Sequence, residues 1–103
     1  MDRITTTIRR HYLAEIIDGT KTVEYRENKP YWRKKLASVT VPFELRLING
    51  MQPKAPEVTV LIDRVTESKE NRQFRLRIAR VLSYRNWSAC GRSSTNDAPR
   101  SRR

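Results

Sequence analysis

The sequence predicts an α+β domain with about five strands and two helices, in the order β-α-β-α-β-β-β. Its 103 residues match the length of one compact domain with its own core. Two short segments carry apolar residues at helical spacing, whereas the other ordered segments are β-branched or alternate apolar with polar side chains. These two periodicities in one short chain indicate helices and strands that share a single core.

The first half of the chain predicts two strands, each followed by a helix. Residues 4–8 are β-branched and predict the first strand. Residues 11–17 predict a helix that ends at Gly19, because glycine readily adopts the left-handed conformation common after a helix. Within the stretch GTKTVEYR, residues 19–26, the six residues 21–26 predict the second strand, and residues 30–37, PYWRKKLA, predict a helix with proline in its first turn.

The second half predicts three consecutive strands. Residues 42–48 alternate apolar with charged side chains, which is typical of a half-buried strand. Residues 56–65 are apolar at most positions, which indicates a strand covered in part on both faces. Residues 72–83 alternate again until Arg80, where we expect a bulge or bend to restore the inward pattern.

Composition sets the domain boundary and the expected location. Residues 1–87 form the predicted domain, and the polar, arginine-rich residues 88–103 predict a basic disordered tail. The single cysteine, Cys90, and the lack of a Cys/His cluster predict neither an internal disulfide nor a metal site, and we expect no cofactor. We expect a cytoplasmic protein that does not enter the membrane, because no segment approaches the length of a transmembrane helix or a signal peptide.

The charge predicts a polyanionic partner. Twenty-two lysines and arginines against eleven acidic residues give a net charge of +11, which is high for this length. A strong positive charge is the electrostatic signature of proteins that bind nucleic acid. The partner that we expect is therefore RNA in single-stranded form, or a nucleotide.

The second predicted strand concentrates charged side chains. In a regular strand Lys21 and Tyr25 would share one face, whereas Glu24 and Arg26 would share the other. Glu24 and Arg26 are two residues apart, near enough for the guanidinium to reach the carboxylate. These charges either form an ion pair on a solvated surface or line a pocket.

A pattern around this strand resembles the ASCH family, a branch of the PUA-like superfamily. The pattern is G-x-K-x-x-E-x-R, formed by Gly19, Lys21, Glu24 and Arg26, and the similarity extends over about residues 3–84. The resemblance implies a small, strongly curved β-barrel with helices plugging its side and a cleft lined by the motif. It also implies RNA binding.

Aromatic and basic side chains extend the candidate interface. Tyr25, Tyr31 and Trp32 offer rings on which bases can stack, although Trp32 is equally typical of a core residue. A series of arginines from Arg72 to Arg85 either contacts phosphates or keeps an edge strand from aggregating. The residues expected to contact nucleic acid are Lys21, Glu24, Tyr25, Arg26, Tyr31, Trp32, Arg33, Arg75 and Arg77.

Two other functions stay open at this point. Some ASCH proteins are hydrolases, and the amidohydrolase type uses a lysine, a threonine three residues later and a distant glutamate. Lys21 matches the lysine, but Glu24 stands at the threonine position, so the resemblance leaves catalysis uncertain. Were the protein a hydrolase of RNA or of a modified nucleoside, Lys21 and Glu24 would be its catalytic residues. The other alternative is a phage-type accessory protein that binds an acidic protein surface.

Overall fold

The predicted elements are present in the predicted order. The computed structural model describes residues 1–88, so almost all of the predicted tail, residues 88–103, lies outside the described residues. The elements are β1 (Arg3–Thr7), α1 (Arg10–Asp18), β2 (Val23–Glu27), α2 (Pro30–Ala37), β3 (Phe43–Ile48), β4 (Glu57–Ser68) and β5 (Gln73–Arg85). The α+β class is confirmed.

The five strands form one curled sheet in the order β1-β3-β4-β5-β2. The β1 and β3 strands pair in parallel, and the other neighbours pair antiparallel. The sheet curls so far that Arg26 on β2 donates a hydrogen bond from Nη2 to the Thr7 carbonyl oxygen on β1, 2.9 Å away. The predicted strong curvature is confirmed as a half-barrel whose two edge strands face each other.

The core fills the inner face of this half-barrel. Alternate residues of β3, β4 and β5 point inward, and α1 adds Leu13 and Ile16 from its buried side. Trp32 of α2 is also largely buried and belongs to the same cluster, as the core alternative for this residue predicted. The fully buried strand residues are Phe43, Leu45, Leu47, Val58, Val60, Ile62 and Leu76.

The connection from α1 to β2 differs from the prediction. The strand begins at Val23, whereas the sequence predicted strand from Lys21. Gly19 ends the helix with a φ of 89°, and the Lys21 N–H donates back to the Glu15 carbonyl oxygen of α1. Because Lys21 precedes the strand, strand parity does not fix its direction, and it is free to turn toward the face that Glu24 occupies.

The last strand, β5, was predicted to carry a bulge near Arg80, and the bulge is present. Arg80 pairs with Leu61 and Ile78 pairs with Ile62, so Ala79 is the extra residue between them. The suggestion of an edge strand is wrong for residues 73–77, which lie between β4 and β2, whereas residues 80–85 of β5 pair with β4 alone. No helix within residues 1–88 combines the length and the apolar character needed to cross a membrane.

Candidate functional site

A cleft of about 1120 Å³ lies between the two facing edges of the sheet. Its walls come from the end of β1, from β2, from the beginning of α2 and from Tyr12 of α1. The half-barrel therefore has a cleft where its two edge strands do not pair with each other.

A buried carboxylate forms the centre of the cleft. Glu24 pairs across the ladder with Leu76, so its side chain points to the inner face and is only 6% exposed. The Lys21 Nζ lies 3.4 Å from one carboxylate oxygen, and the Arg26 Nη2 lies 2.5 Å from the other. One negative charge is thus shared by two positive charges, which leaves this triad with a net charge of +1.

Backbone carbonyl groups hold the two cations in place. The Lys21 Nζ donates to the Val23 carbonyl oxygen at 2.7 Å, and Arg26 reaches the Thr7 carbonyl oxygen. Burying a carboxylate is costly unless it is paired and hydrogen-bonded, and this arrangement meets both conditions for Glu24. The buried Arg26 Nε has no hydrogen-bond partner among the described residues, so one N–H donor of the guanidinium is unpaired there.

Aromatic rings surround the same cations. The Lys21 Nζ lies 4.9 Å from the centroid of the Tyr12 ring and 5.2 Å from that of Tyr25. The Arg26 Cζ lies 5.2 Å from the Trp32 ring, and Trp32 meets Tyr31 edge to face with centroids 5.8 Å apart. These are distances at which a cation is attracted by the face of a ring. The site therefore has charged side chains at its base and aromatic rings around them.

The structure brings six of the nine predicted residues together around this cleft. They are Lys21, Glu24, Tyr25, Arg26, Tyr31 and Trp32. The prediction from strand parity that Lys21 and Glu24 lie on opposite faces of the strand is wrong, because their side chains form an ion pair. The reason is the late start of β2, which lets the lysine fold back over the carboxylate.

Arg33 does not line the cleft. Its Nη1 donates to the side-chain oxygen of Asn28 at 2.7 Å and to the backbone oxygen of the same residue at 3.2 Å. Arg33 thus ties α2 to the end of β2, and the prediction that it contacts a ligand finds no support in its position.

Arg75 and Arg77 lie on the outer face of the sheet, away from the cleft. Arg75 is exposed, is the cross-strand partner of Tyr25 and does not line the cleft. Arg77 holds Asp63 through two hydrogen bonds of 2.9 Å each. These bonds hold the pKa of the Asp63 carboxyl below its ordinary value, so the pair stays ionised and Arg77 is already occupied.

The cleft also contains residues that the sequence analysis did not select. Thr7, Arg9 and Lys29 line it, as does Tyr12, which is 41% exposed. Tyr12 precedes the fully buried Leu13 and so lies at the margin of the apolar stripe of α1, a signal that the sequence does contain. No local pattern in the sequence identifies Thr7 as a site residue, because only the curvature of the sheet brings Thr7 opposite Arg26.

Comparisons of the chain with protein-family models, with curated proteins and with solved structures each found no match. The similarity to the ASCH family therefore stays a prediction that depends on Gly19, Lys21, Glu24 and Arg26.

Proposed function

We propose that this protein is an RNA-binding module whose cleft holds one nucleotide of a single strand. The observation that carries the proposal is the cationic triad of Lys21, Glu24 and Arg26, buried at the floor of a cleft with partly exposed tyrosines at its rim. Single-stranded nucleic acid is bound by the same combination of a positive groove and aromatic stacking surfaces.

The charge of the cleft supports an anionic ligand. Four cationic side chains line it, against the two carboxylates of Glu24 and Glu27. Arg9 forms no ion pair within residues 1–88, and both cations of the triad share one carboxylate. The surplus positive charge therefore faces the cleft, where a phosphate group would be bound.

The aromatic rim supports a base. Tyr31 is 55% exposed and Tyr12 is 41% exposed, so both rings keep surface on which a planar group can stack. Stacking of a base on an aromatic side chain contributes about 1–3 kcal/mol per base. An acidic protein surface would use the charge of the cleft but would leave these rings without a matching planar partner.

The geometry of Glu24 favours binding over catalysis. Each of its carboxylate oxygens lies beside a cation, Lys21 on one side and Arg26 on the other. A general base must accept a proton from substrate through a free oxygen in hydrogen-bond reach, and both oxygens here are engaged. The carboxylate thus orients two cations, a role that requires no chemical step.

Binding to a fluorescently labelled single-stranded RNA, followed by anisotropy, tests the proposal. We expect Tyr31→Ala to weaken binding by roughly 5- to 150-fold, the equivalent of one lost stacking interaction of about 1–3 kcal/mol. Tyr84→Ala is the matched control, because Tyr84 is similarly exposed at 53% but lies outside the cleft.

Three outcomes would contradict the proposal. Equal losses in Tyr31→Ala and Tyr84→Ala would show that RNA does not enter the cleft. Failure of the wild-type protein to bind the labelled RNA would reject the proposed function. Cleavage of the labelled RNA that disappears in Glu24→Gln would replace the binding module with an enzyme.

A further inference from the structure

The open edge of β2 presents backbone groups to the cleft. The Ile78 N–H donates to the Thr22 carbonyl oxygen at 2.9 Å, and the Asn28 N–H donates to the Arg72 carbonyl oxygen at 2.9 Å. In an antiparallel pair, hydrogen-bonded and non-hydrogen-bonded residues alternate along the strand. Even-numbered residues of this strand therefore bond to β5, and the backbone N–H and carbonyl groups of odd-numbered residues point away from β5.

The protein itself uses two of the three outward-facing carbonyl groups on β2. The Val23 oxygen accepts a hydrogen bond from the Lys21 Nζ, and the Glu27 oxygen accepts one from the Lys29 N–H at 2.9 Å. Tyr25 lies between them and lines the cleft. Neither its N–H nor its carbonyl oxygen has a partner within residues 1–88. One residue thus offers a free donor and a free acceptor side by side.

The alternation of backbone hydrogen bonds also shows which residues of β1, the facing edge strand, have outward-facing backbone groups. The Glu44 N–H donates to the Asp2 carbonyl oxygen, and the Ile8 N–H donates to the Ile48 carbonyl oxygen, so the odd-numbered residues of β1 point outward. The Thr7 oxygen is taken by Arg26. The carbonyl groups on both sides of Tyr25 are therefore occupied, by the Lys21 Nζ at Val23 and by the Lys29 N–H at Glu27, whereas the backbone N–H and carbonyl group of Tyr25 stay free within residues 1–88.

We infer that the backbone N–H and carbonyl group of Tyr25 bind the pairing edge of an unpaired base, an inference that rests on the proposed function. A pairing edge displays an acceptor beside a donor, as uracil does with its carbonyl oxygen and ring N–H, and the N–H and carbonyl oxygen of Tyr25 supply the complementary donor and acceptor. Recognition of splayed bases through their Watson–Crick edges is a general mode for single-stranded RNA. A base within a duplex has this edge occupied, so the geometry selects single strands over duplexes.

The alternative occupant of a free strand edge is an extended peptide that adds a strand. The aromatic rim and the surplus cations favour the nucleotide. A peptide would gain nothing specific from two rings placed for stacking, and Tyr31 and Tyr12 stay about half exposed in this cleft.

Two substitutions of Tyr25 separate its backbone from its side chain. Tyr25→Ala removes the ring and keeps the N–H, whereas Tyr25→Pro removes both. Because this N–H points away from the ladder, proline is compatible with the position on an edge strand. We expect Tyr25→Pro to bind oligouridylate roughly three- to tenfold more weakly than Tyr25→Ala, as for the loss of one hydrogen bond.

Thr5→Pro is the matched control for the proline itself. Thr5 has an outward-facing N–H on the other edge strand and does not line the cleft, so this variant should bind as the wild-type protein does. Thermal melting of all three variants checks that each one folds.

The ligand provides a second and independent test on the wild-type protein. Methylation of N3 in oligouridylate blocks the donor of the pairing edge and leaves the phosphates and the stacking surface unchanged. We expect the methylated strand to bind at least about tenfold more weakly than the unmodified strand, because a buried donor and acceptor lose their partners. An oligouridylate fully paired with oligoadenylate should bind as weakly as the methylated strand.

The outcomes distinguish the two proposals. Equal affinity of the wild-type protein for methylated and unmodified strands, or equal affinity of Tyr25→Pro and Tyr25→Ala, would overturn the reading of the base edge and leave RNA binding intact. Should Tyr25→Pro fail to fold, the methylated strand decides alone. Failure of the wild-type protein to bind either strand would reject both proposals and leave the free edge to peptide addition.

Discussion

The cleft and the outer face of the sheet hold their charges in different ways. In the cleft, Lys21 and Arg26 share one carboxylate, and the side chains of both cations are less than 20% exposed. On the outer face, Arg46 and Glu57 form a one-to-one pair through two hydrogen bonds of 2.8 and 2.9 Å. A one-to-one pair cancels its own charge, whereas the shared carboxylate leaves a positive charge in a place with little water.

Exposure separates the two regions more clearly than the number of charges does. Arg64, Arg75 and Arg80 on the outer strands form no ion pair within residues 1–88 either, but they are exposed. Charges in water are screened within about 8–10 Å at ordinary ionic strength, and charges in a cleft are screened much less. Under the proposed function, the net charge of the chain indicates the class of partner, and burial of the charged side chains indicates where that partner would bind.

The largest expected difference between the regions is in stability. Arg26→Ala leaves the buried Glu24 with one cation and removes the bond to the Thr7 carbonyl oxygen that joins the two sheet edges. We expect a loss of about 3 kcal/mol in the free energy of unfolding and a fall in Tm of roughly 12–24 °C. Thermal or urea denaturation measures it.

The outer face supplies the control for this prediction. Arg77→Ala breaks an exposed pair with Asp63 and should lower the Tm by about 3 °C or less. In a Glu24→Gln background, Arg26→Ala should lower the free energy of unfolding by about 1–2 kcal/mol less than it does in the wild-type protein, because no buried carboxylate is left without its partner. Additive losses in that double-mutant cycle would show that Arg26 acts only through its other contacts.

The second difference concerns the salt dependence of RNA binding. Arg9→Gln removes a cleft cation that has no ion-pair partner within residues 1–88. If Arg9 contacts one phosphate, the slope of log K against log salt should become shallower by about 0.7. Arg64→Gln removes an equal charge from the outer face and should leave that slope unchanged. Equal changes in the two variants would mean that the RNA does not distinguish the cleft from the outer face.

The sequence predicted the elements well, because their signals are local. Residues 30–37 match α2 in full, with proline in the first turn, and the alternation of residues 42–48 matches β3 within one residue. The bulge near Arg80 followed from a break in the same alternation. Each of these features depends on side chains within a few residues of one another.

The candidate site was harder to predict, because it depends on contacts between distant segments. Strand parity misplaced Lys21, since the turn after Gly19 delays β2 and Lys21 folds back on α1. Thr7 entered the site only because the sheet curls until β1 faces β2. The motif residues Lys21, Glu24 and Arg26 line the cleft together, whereas the Thr7 carbonyl oxygen that accepts from Arg26 lies on the other edge of the sheet.

The smallest expected effect lies on the outer face and concerns pH. Hydrogen bonds from Arg46 hold the pKa of the Glu57 carboxyl below its ordinary value, so the unfolded chain binds this proton more readily than the folded chain. The stabilisation is present above the unfolded pKa of about 4.3 and is lost as the pH falls through the lower folded pKa.

Glu57→Gln should therefore lower the Tm at pH 7 by roughly 2–5 °C and make the fall of the Tm below about pH 4 less steep. Glu70→Gln, which removes an exposed carboxylate outside the ion pairs of residues 1–88, should retain the wild-type profile. If both variants lose stability in acid as steeply as the wild-type protein, the Arg46–Glu57 pair does not contribute to the stability of the fold.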